Sequence, residues 1–489
     1  MKLNLSTFLL LIIPSITLSQ PEILWHKFYG GNGTDVCYSL IRTLDGGYAM
    51  GGSYQSFRTG YDYLILKTDR DGDLEWSGRF GSDENKHDIC RSVLQDNHGN
   101  YLIAGYTSSY GPGTEAVWAI KLDSSGQEIW SEVYGGDGWD VCRSVITVAD
   151  GGYLLGGYTD SFGAGSTDFY LIRIDSDGEV IWSETFGSRG TEQCRSVIQT
   201  DDGGFLAAGI TTYLGEGGEE IYAVKIDSAG EVEWSNTYGT EEDNPCYDVV
   251  QTSDGGYAFA GGLGTFGFEG TGDFYLVKTD GDGEVLWTET YGGRGEDLCF
   301  AIEEVEEGGL VMTGRTNSFD RRTGDDFYLV RTDAEGDVLW ETFYGGSSSD
   351  NCYSITVDVS GYTLSGNTRS FGDDQRRGRN FWLLKTGLDS ANAVWEVDPS
   401  LPSSADMILA YPNPFNSSTT ISYSLPSPGS VSLTIFDTQG RELQHIAGGF
   451  KSAGSYSVVW NAAGLPSGVY YGKLETGEKV QTIPMVLGK

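Results

Sequence analysis

Seven cysteines stand at Cys37, Cys90, Cys142, Cys194, Cys246, Cys299 and Cys352, at intervals of 53, 52, 52, 52, 53 and 53 residues. A period this long and this even means one supersecondary unit repeated in tandem. The same regularity hides function, because a residue present seven times is there first to build the repeat.

The third unit displays the pattern. Asp140 to Ile146 alternates as a strand, and Asp150 to Gly152 is a turn signal. Tyr153 to Thr159 is a second strand, followed by the longer Ser161 to Gly165 loop. Asp168 to Ile174 is a third strand, Asp175 to Gly178 a tight turn, and Glu179 to Phe186 a fourth strand carrying Trp182. Four antiparallel strands per period is the unit of a β-propeller blade. The cysteine strand, the tyrosine-rich second strand and the basic third strand each occur seven times. The tryptophan strand follows units one to six, at Trp76, Trp130, Trp182, Trp234, Trp287 and Trp340. Its seventh copy is Ile23 to Tyr29, at the N-terminal end. We therefore expect an all-β, seven-bladed propeller over residues 20–390, closed by the N-terminal strand beside residues 380–386. Closure hides an edge that would invite aggregation. Residues 393–397, with Trp395, compete for the same place. Blade taper puts cysteine and serine (Ser39, Ser92, Ser144, Ser196, Ser354) at the axis and tryptophan at the outer rim.

These repeats resemble the seven-bladed propellers of many exported bacterial proteins, over residues 23–386. The turn-tryptophan element, as in Gly178 to Trp182, is also similar to quinoprotein propellers. Those usually have eight blades and a cofactor centre, which has no counterpart in this sequence. The resemblance implies a fold and no activity.

Composition agrees. Glycine is 71 of 489 residues and aromatics are 13%, which favours short strands and tight turns. The formal charge of −39 makes nucleic acid and anionic membranes poor partners. Residues 1–19 read as a signal peptide: Lys2, an apolar run from Phe8 to Ile13, and small Thr17 and Ser19 before Gln20. The run is too short to span a bilayer, and no later segment is long enough. Removing residues 1–19 takes away one lysine and no acid, moving the charge from −39 to −40. An exported chain rich in cysteine invites a disulfide reading. It fails here, because the number is odd and every cysteine holds the same place in its own sheet. Packed sheets lie about 10 Å apart, and a bridge needs Cα atoms within about 7 Å.

After Thr386 the repeat stops. Residues 391–407 form a linker, and residues 408–489 carry several short strands that read as a small β-sandwich. Three pieces stand out in order: Tyr411-Pro412-Asn413-Pro414-Phe415, Ile435-Phe-Asp with Gly440 and Arg441, and Leu465 to Tyr471 with Gly468 and Tyr470. They resemble the C-terminal sorting domain of proteins exported by the bacterial type IX secretion system. They are also similar to the immunoglobulin-like part of flagellar hook-capping proteins. The resemblance implies type IX secretion machinery as a partner, and release outside the cell or display at the outer-membrane surface.

Tight turns lie on one face of the ring and longer loops on the other, and loops on a rigid scaffold carry function. Three sets of residues there invite a role. Two residues before each cysteine stand Asp35, Asp88, Asp140, Glu192, Asn244, Asp297 and Asp350. Six carboxylates at the channel mouth could hold a cation such as Ca²⁺, or each could accept hydrogen bonds from its own glycine turn. Arg58, Arg321, Arg322, Arg376, Arg377 and Arg379 mark blades one, six and seven as a basic sector, suited to an anionic glycan or acidic partner. The same loop in blades two, four and five carries Glu115, Glu216, Glu219, Glu220 and Glu269. The basic residue of strand three (Lys67, Lys121, Arg173, Lys225, Lys278, Arg331, Lys385) reads as a structural ion-pair position. The aspartate-glycine turns, as at Asp69 to Gly72, are fragments of calcium loops without the twelve-residue ligand set. No catalytic residues, nucleophile elbow, phosphate loop or metal cluster is legible. The expectation is a secreted or cell-surface propeller that binds a glycan or protein without catalysis. The alternative is a polysaccharide-degrading hydrolase or lyase using two loop acids.

Overall fold

The computed structural model describes residues 17–19, 21–31, 33–56, 60–82, 86–215, 217–264, 271–305, 309–319, 324–358, 360–371, 378–388 and 390–392. In the C-terminal part it describes 408–411, 418–425, 429–436, 438, 441–451, 454–462, 465–466, 468–476 and 479–487. Most of the expected signal peptide and of the linker lies outside these residues. The chain divides into two compact units, Met1–Val394 and Trp395–Lys489.

Among the described residues the first unit is built of strands and turns, arranged as seven antiparallel four-stranded blades of a β-propeller, the first two joined by a short parallel pairing of Gly60 and Tyr61 with Lys86 and His87. A separate two-stranded sheet pairs Thr17–Ser19 with Ser390–Asn392. Six blades run in chain order from inner to outer strand. The seventh is Asp350–Asp358, Gly361–Thr368 and Asn380–Thr386, with Ile23–Tyr29 as its outer strand. The pairing runs from Ile23 opposite Thr386 to Tyr29 opposite Phe381. Trp25, opposite Lys385, thus fills the place for which Trp395 competed, and Trp395 lies outside the described residues. The Gly387 amide donates to the Glu22 carbonyl at 2.9 Å, beside this pairing.

Each blade locks onto the next in two ways. At the outer rim, a fourth-strand tryptophan packs against a tyrosine at the start of the next blade's second strand. Trp25 meets Tyr48 at 5.9 Å between centroids, Trp76 meets Tyr101 at 5.5 Å, and Trp340 meets Tyr362 at 5.7 Å. The rim tryptophans differ in depth: only Trp340 is buried, and its counterparts are half-buried. A fourth-strand tyrosine then donates to the turn-glycine carbonyl of the next blade, as Tyr134 does to Gly178 at 2.7 Å and Tyr291 to Gly336 at 2.8 Å. Tyr344 finds the Pro21 carbonyl instead, at 3.1 Å. Pro21 stands four residues before Trp25, as Gly178 stands four before Trp182, so the N-terminal strand reproduces the missing turn.

At the axis the lock is a serine. Every inner strand carries a β-bulge just after its cysteine. The serine after the bulge accepts a hydrogen bond from an inner-strand amide of the next blade. Ser39 takes Val93, Ser92 takes Val145, Ser144 takes Val197 and Ser354 takes Leu40, at 3.1–3.3 Å. The last of these joins blade seven to blade one. In blade five Asp248 does the same for Ile302 at 3.0 Å and also receives the Ser196 hydroxyl at 2.8 Å. The cysteines are buried, free of disulfides, and pack between sheets. Burial pushes the thiols up, to about 12 for Cys37, Cys142 and Cys352, so none is a thiolate at neutral pH.

The strand-three cations pair as their position implied. Lys67 meets Asp45 at 2.8 Å and Glu75 at 2.7 Å, Lys225 meets Asp202 at 2.9 Å, and Lys278 meets Asp254 at 2.9 Å. Arg173 meets Asp150 and Lys385 meets Asp358.

The second unit has two sheets. One joins Ile408–Tyr411, Ser418–Leu425 and Gly454–Asn461, and the other joins Glu442–Lys451, Gly429–Phe436, Gly468–Thr476 and Lys479–Leu487. Ile421 and Trp460 from the first pack with Leu433, Ile435, Leu474 and Met485 from the second. In the sorting motif, Pro412, Asn413, Pro414, Phe415 and Gly440 lie outside the described residues. Tyr411 ends a strand, Arg441 is exposed, and Gly468 opens the strand holding Tyr470. Tyr470 donates to the Pro466 carbonyl at 2.6 Å and packs edge-on against Trp460.

Candidate functional site in the axial channel

The inner-strand bulge decides what faces the axis. In a regular strand, side chains alternate between faces. A bulge adds one residue and re-aims its side chain. Here the extra residue is the one after each cysteine: Tyr38, Arg91, Arg143, Arg195, Tyr247, Phe300 and Tyr353. All seven are half-buried, although each follows a fully buried cysteine.

They sort into two arcs. Blades five, six, seven and one present aromatic rings in series. Tyr247 to Phe300 is 5.0 Å, Phe300 to Tyr353 is 5.0 Å, and Tyr353 to Tyr38 is 5.5 Å. Blades two, three and four present arginines. Arg91 lies over Tyr38 at 4.0 Å, Arg195 faces Tyr247 at 5.5 Å, and Arg143 faces Tyr158 at 5.6 Å. Burial, then the charges of Arg91 and Arg195, pull Arg143 down to about 10. Arg91 is instead raised: burial opposes its charge, but Tyr38 and Tyr106 outweigh it. Among the described residues none of the three forms an ion pair, and their Nε atoms are buried without hydrogen-bond partners. Arg195 makes one bond, to Gln193 Oε1 at 2.8 Å.

At the rim, Trp139 is 50% exposed and bridges in parallel to Glu115. Burial raises the Glu115 carboxyl, while His87, Arg143 and Arg91 draw it back. Burial likewise raises Glu219, with Asp243 adding and Arg195 opposing. Both acids lie within the arginines' field, not in contact with them.

The ring of acids is built differently from the expectation of a crowded channel mouth. Asp35, Asp88, Asp140, Glu192, Asp297 and Asp350 are fully buried, each in its own blade. Asp140 accepts from the Gly136 amide at 2.8 Å and from the Ser161 and Thr159 hydroxyls. Asp350 accepts from the Gly346 amide at 2.9 Å and the Ser370 hydroxyl at 2.7 Å. Asp35, Asp88, Glu192 and Asp297 follow the same plan. Their work is to hold loops. Among the described residues no three potential ligands gather as a metal site.

Of the basic sector, Arg58, Arg321, Arg322, Arg376 and Arg377 lie outside the described residues. Arg379 bridges in parallel to Thr34, and its carbonyl accepts the Asp35 amide at 2.9 Å. Its Nε is buried without a partner. Its charge adds to burial in lowering Arg369.

Paired acids also occur, and each pair flanks a loop glycine. Gly292 lies between Asp273 and Asp297, Gly187 between Asp168 and Glu192, and Gly81 between Asp62 and Asp88. The same arrangement recurs in three blades, where the acids hold the loop around the glycine. A shallow cavity of about 300 Å³ lies away from the axis and is mostly aromatic, lined by Phe343, Tyr344, Phe371 and Trp382 with Ile23 and His26.

Three half-buried acids make stability depend on pH. Burial pushes Asp248 up to about 6, and burial with the Asp248 charge pushes Glu303 up to about 7. Burial and the Asp297 charge push Asp273 up to about 6. Their unfolded values are near 4. Below these folded values the native state holds protons that the unfolded state has lost, so protonation stabilises the fold. Asp45, Asp202 and Asp254 act in reverse. Despite some burial, hydrogen bonds from threonine, lysine and glycine partners hold them at about 2, and their contribution is lost as pH falls from about 4 toward 2. Thermal melts from pH 8 to 2 should therefore rise by a few degrees toward pH 5, then fall. Asp248→Asn should flatten the rise. A melting point that drops steadily from pH 8 to 5 would refute this account.

Comparison with known proteins adds a route for the chain. Residues 409–487 match the profile of the secretion system C-terminal sorting domain. The regulatory protein FlaEY of Caulobacter vibrioides is 24% identical over 216 residues, covering 37% of this chain and 23% of that protein. The chain thus spans less than a quarter of the length of that curated relative. Among solved structures, the β-propeller domain of the Trilobed protease from Pyrococcus furiosus is 11% identical, with a TM-score of 0.40, covering 75% of this chain and 96% of that one. The acylaminoacyl peptidase of Pyrococcus horikoshii is 13% identical at 0.39, covering 79% and 57%. The polysaccharide lyase Uly1 is 9% identical at 0.43, covering 74% and 90%. Likenesses this loose carry nothing about activity. No helix among the described residues is long and apolar enough to cross a membrane. The C-terminal unit is a secretion-system sorting domain, which implies the type IX secretion machinery and a secreted or cell-surface location.

Proposed function

We propose that the chain is an exported propeller that binds an extracellular glycan or protein without transforming it, through the axial mouth on its long-loop face. Residues 1–19 direct export as a cleaved signal, residues 20–390 bind, and residues 408–489 are the sorting domain after a linker at 391–407. The observation behind the reading is the bulge repeated in seven blades. It spends every inner strand on aiming one large side chain at the axis, and those side chains are aromatic rings and arginines. Such groups hold ligands; they are not an acid–base pair. The basic sector expected at Arg58, Arg321, Arg322, Arg376, Arg377 and Arg379 would add positive charge on the same long-loop face.

The test is a glycan-array and polysaccharide-depolymerisation screen of the full chain, with and without calcium. Binding without cleavage, weakened by the triple change Arg376→Ala, Arg377→Ala and Arg379→Ala, is the expected result. Shortened polysaccharide products would overturn it in favour of a hydrolase or lyase.

A further inference from the structure

Charge makes the axial arginines unusual. The protein carries 70 acidic residues against 31 basic ones, and its other buried cations sit beside carboxylates. Arg91, Arg143 and Arg195 alone converge on one space without a carboxylate in contact among the described residues. A buried charge normally demands a partner, and three together raise the demand, since Arg91 and Arg195 both weigh against the charge of Arg143. The Nε atoms of all three are sealed from solvent and unbonded, while the side chains remain partly open to the channel. Arg91 and Arg143 hydrogen-bond to Tyr106 and Tyr158, and Arg195 to Gln193, so their partners are neutral and a carboxylate is what the space lacks.

We propose that Arg91, Arg143 and Arg195 bind the carboxylate of an acidic sugar residue, with the facing aromatic arc taking the apolar face of its ring. Guanidinium groups match carboxylates with paired hydrogen bonds. The arc of Tyr247, Phe300, Tyr353 and Tyr38 supplies a continuous aromatic wall opposite, the usual partnership of apolar lining and a few placed polar groups. An acidic peptide would bring the carboxylate without a ring face for the arc. The contact survives physiological salt, because a Debye length of about 8 Å damps the distant acids but not groups in contact. This proposal rests on the reading that the long-loop mouth is the binding surface.

The test is calorimetric titration of the full chain in 0.15 M salt with trigalacturonate, maltotriose, hexaglutamate and inorganic phosphate. Trigalacturonate should bind and maltotriose should not. Arg143→Gln should weaken binding roughly 10- to 100-fold, with partial recovery in Arg143→Lys. Because a channel variant can misfold, the unaltered chain supplies a second readout. Trigalacturonate should protect Arg91, Arg143 and Arg195 from phenylglyoxal, read by peptide mass spectrometry. Equal binding of maltotriose or hexaglutamate, or of phosphate alone, would overturn the proposal, as would unprotected arginines. Glycan binding that leaves these arginines unprotected would sink the axial site and spare the binding reading. Silence toward every glycan and protein would sink both.

Discussion

A chain lacking residues 20–29 is expected to lose its cooperative melt and to aggregate. The deletion removes the outer strand of the seventh sheet, with the paired register from Ile23 to Tyr29. It strips the Asn380–Thr386 edge, which is fully buried and apolar at Phe381, Trp382, Leu383 and Leu384. It also removes three ties to other strands: Trp25 on Tyr48, Tyr29 on the Gly72 carbonyl, and Phe28 on Phe371 at 5.6 Å. Ladder hydrogen bonds contribute about 0.5–1.5 kcal/mol each, and aromatic pairs a similar amount. The sum reaches roughly 5 kcal/mol or more, a large part of a typical domain's 5–15. The single change Phe28→Ala should cost about 2–3 kcal/mol, somewhat under the range for a fully buried phenylalanine. Calorimetry and size-exclusion chromatography read both variants. A monomeric deletion variant melting within a few degrees of the full chain would show that the ring does not depend on this strand.

Gly157→Ala should be as damaging from one methyl group. Gly157 lies in the second strand opposite Cys142, where the bulge begins. A Cβ there would land on the Val141 carbonyl oxygen, which is backbone and has no room to move. Gly52, Gly105, Gly209, Gly261, Gly314 and Gly366 stand in the same relation to their own inner strands. Each blade therefore omits a side chain at the place where the bulge pushes inward. Overpacking of this kind costs about 3 kcal/mol or more when the obstacle is main chain. The variant should also turn Arg143 away from the axis, so ligand binding should fall further than stability alone explains. Gly31→Ala is the control, since its added methyl meets only ordinary contacts with Tyr54. Matching melts for the two variants would discard the close-approach argument.

These residues also show what the sequence could tell. The period, the four strands and the N-terminal completion were legible because side-chain alternation and turn chemistry repeat with the fold. The ion pairs of strand three were legible for the same reason. The axial arcs were not. Alternation places the residue after each cysteine on the opposite face from it, and a bulge adds a residue without changing the pattern's letters. One signal was available. The position after the cysteine is Tyr, Arg, Arg, Arg, Tyr, Phe, Tyr, always large yet varied in kind, while the residue before it is always cysteine and the one after it always small or short. A repeat position that varies in chemistry but not in size belongs to the ligand side of the design. Of the two readings offered for the acids at Asp35 and its counterparts, the glycine-turn one was legible from spacing, as the Gly136 amide on Asp140 shows. Their hydroxyl donors, such as Thr159 and Ser161, were not, because they sit in a loop about twenty residues further along the chain.

The pairing of Ile23 with Thr386 also fixes an order of events. Neighbouring blades join through contacts about one period apart, so they can assemble progressively as the chain is made. The closing strand waits for a partner at the far end of the propeller, and loop-closure entropy with long-range pairing makes such a step slow. Until Asn380–Thr386 exists, the ring is an open arc with an unsatisfied edge at each end. The last of the blades to be synthesised is therefore the one that locks all the others, and a chain halted before residue 380 is an unlocked one.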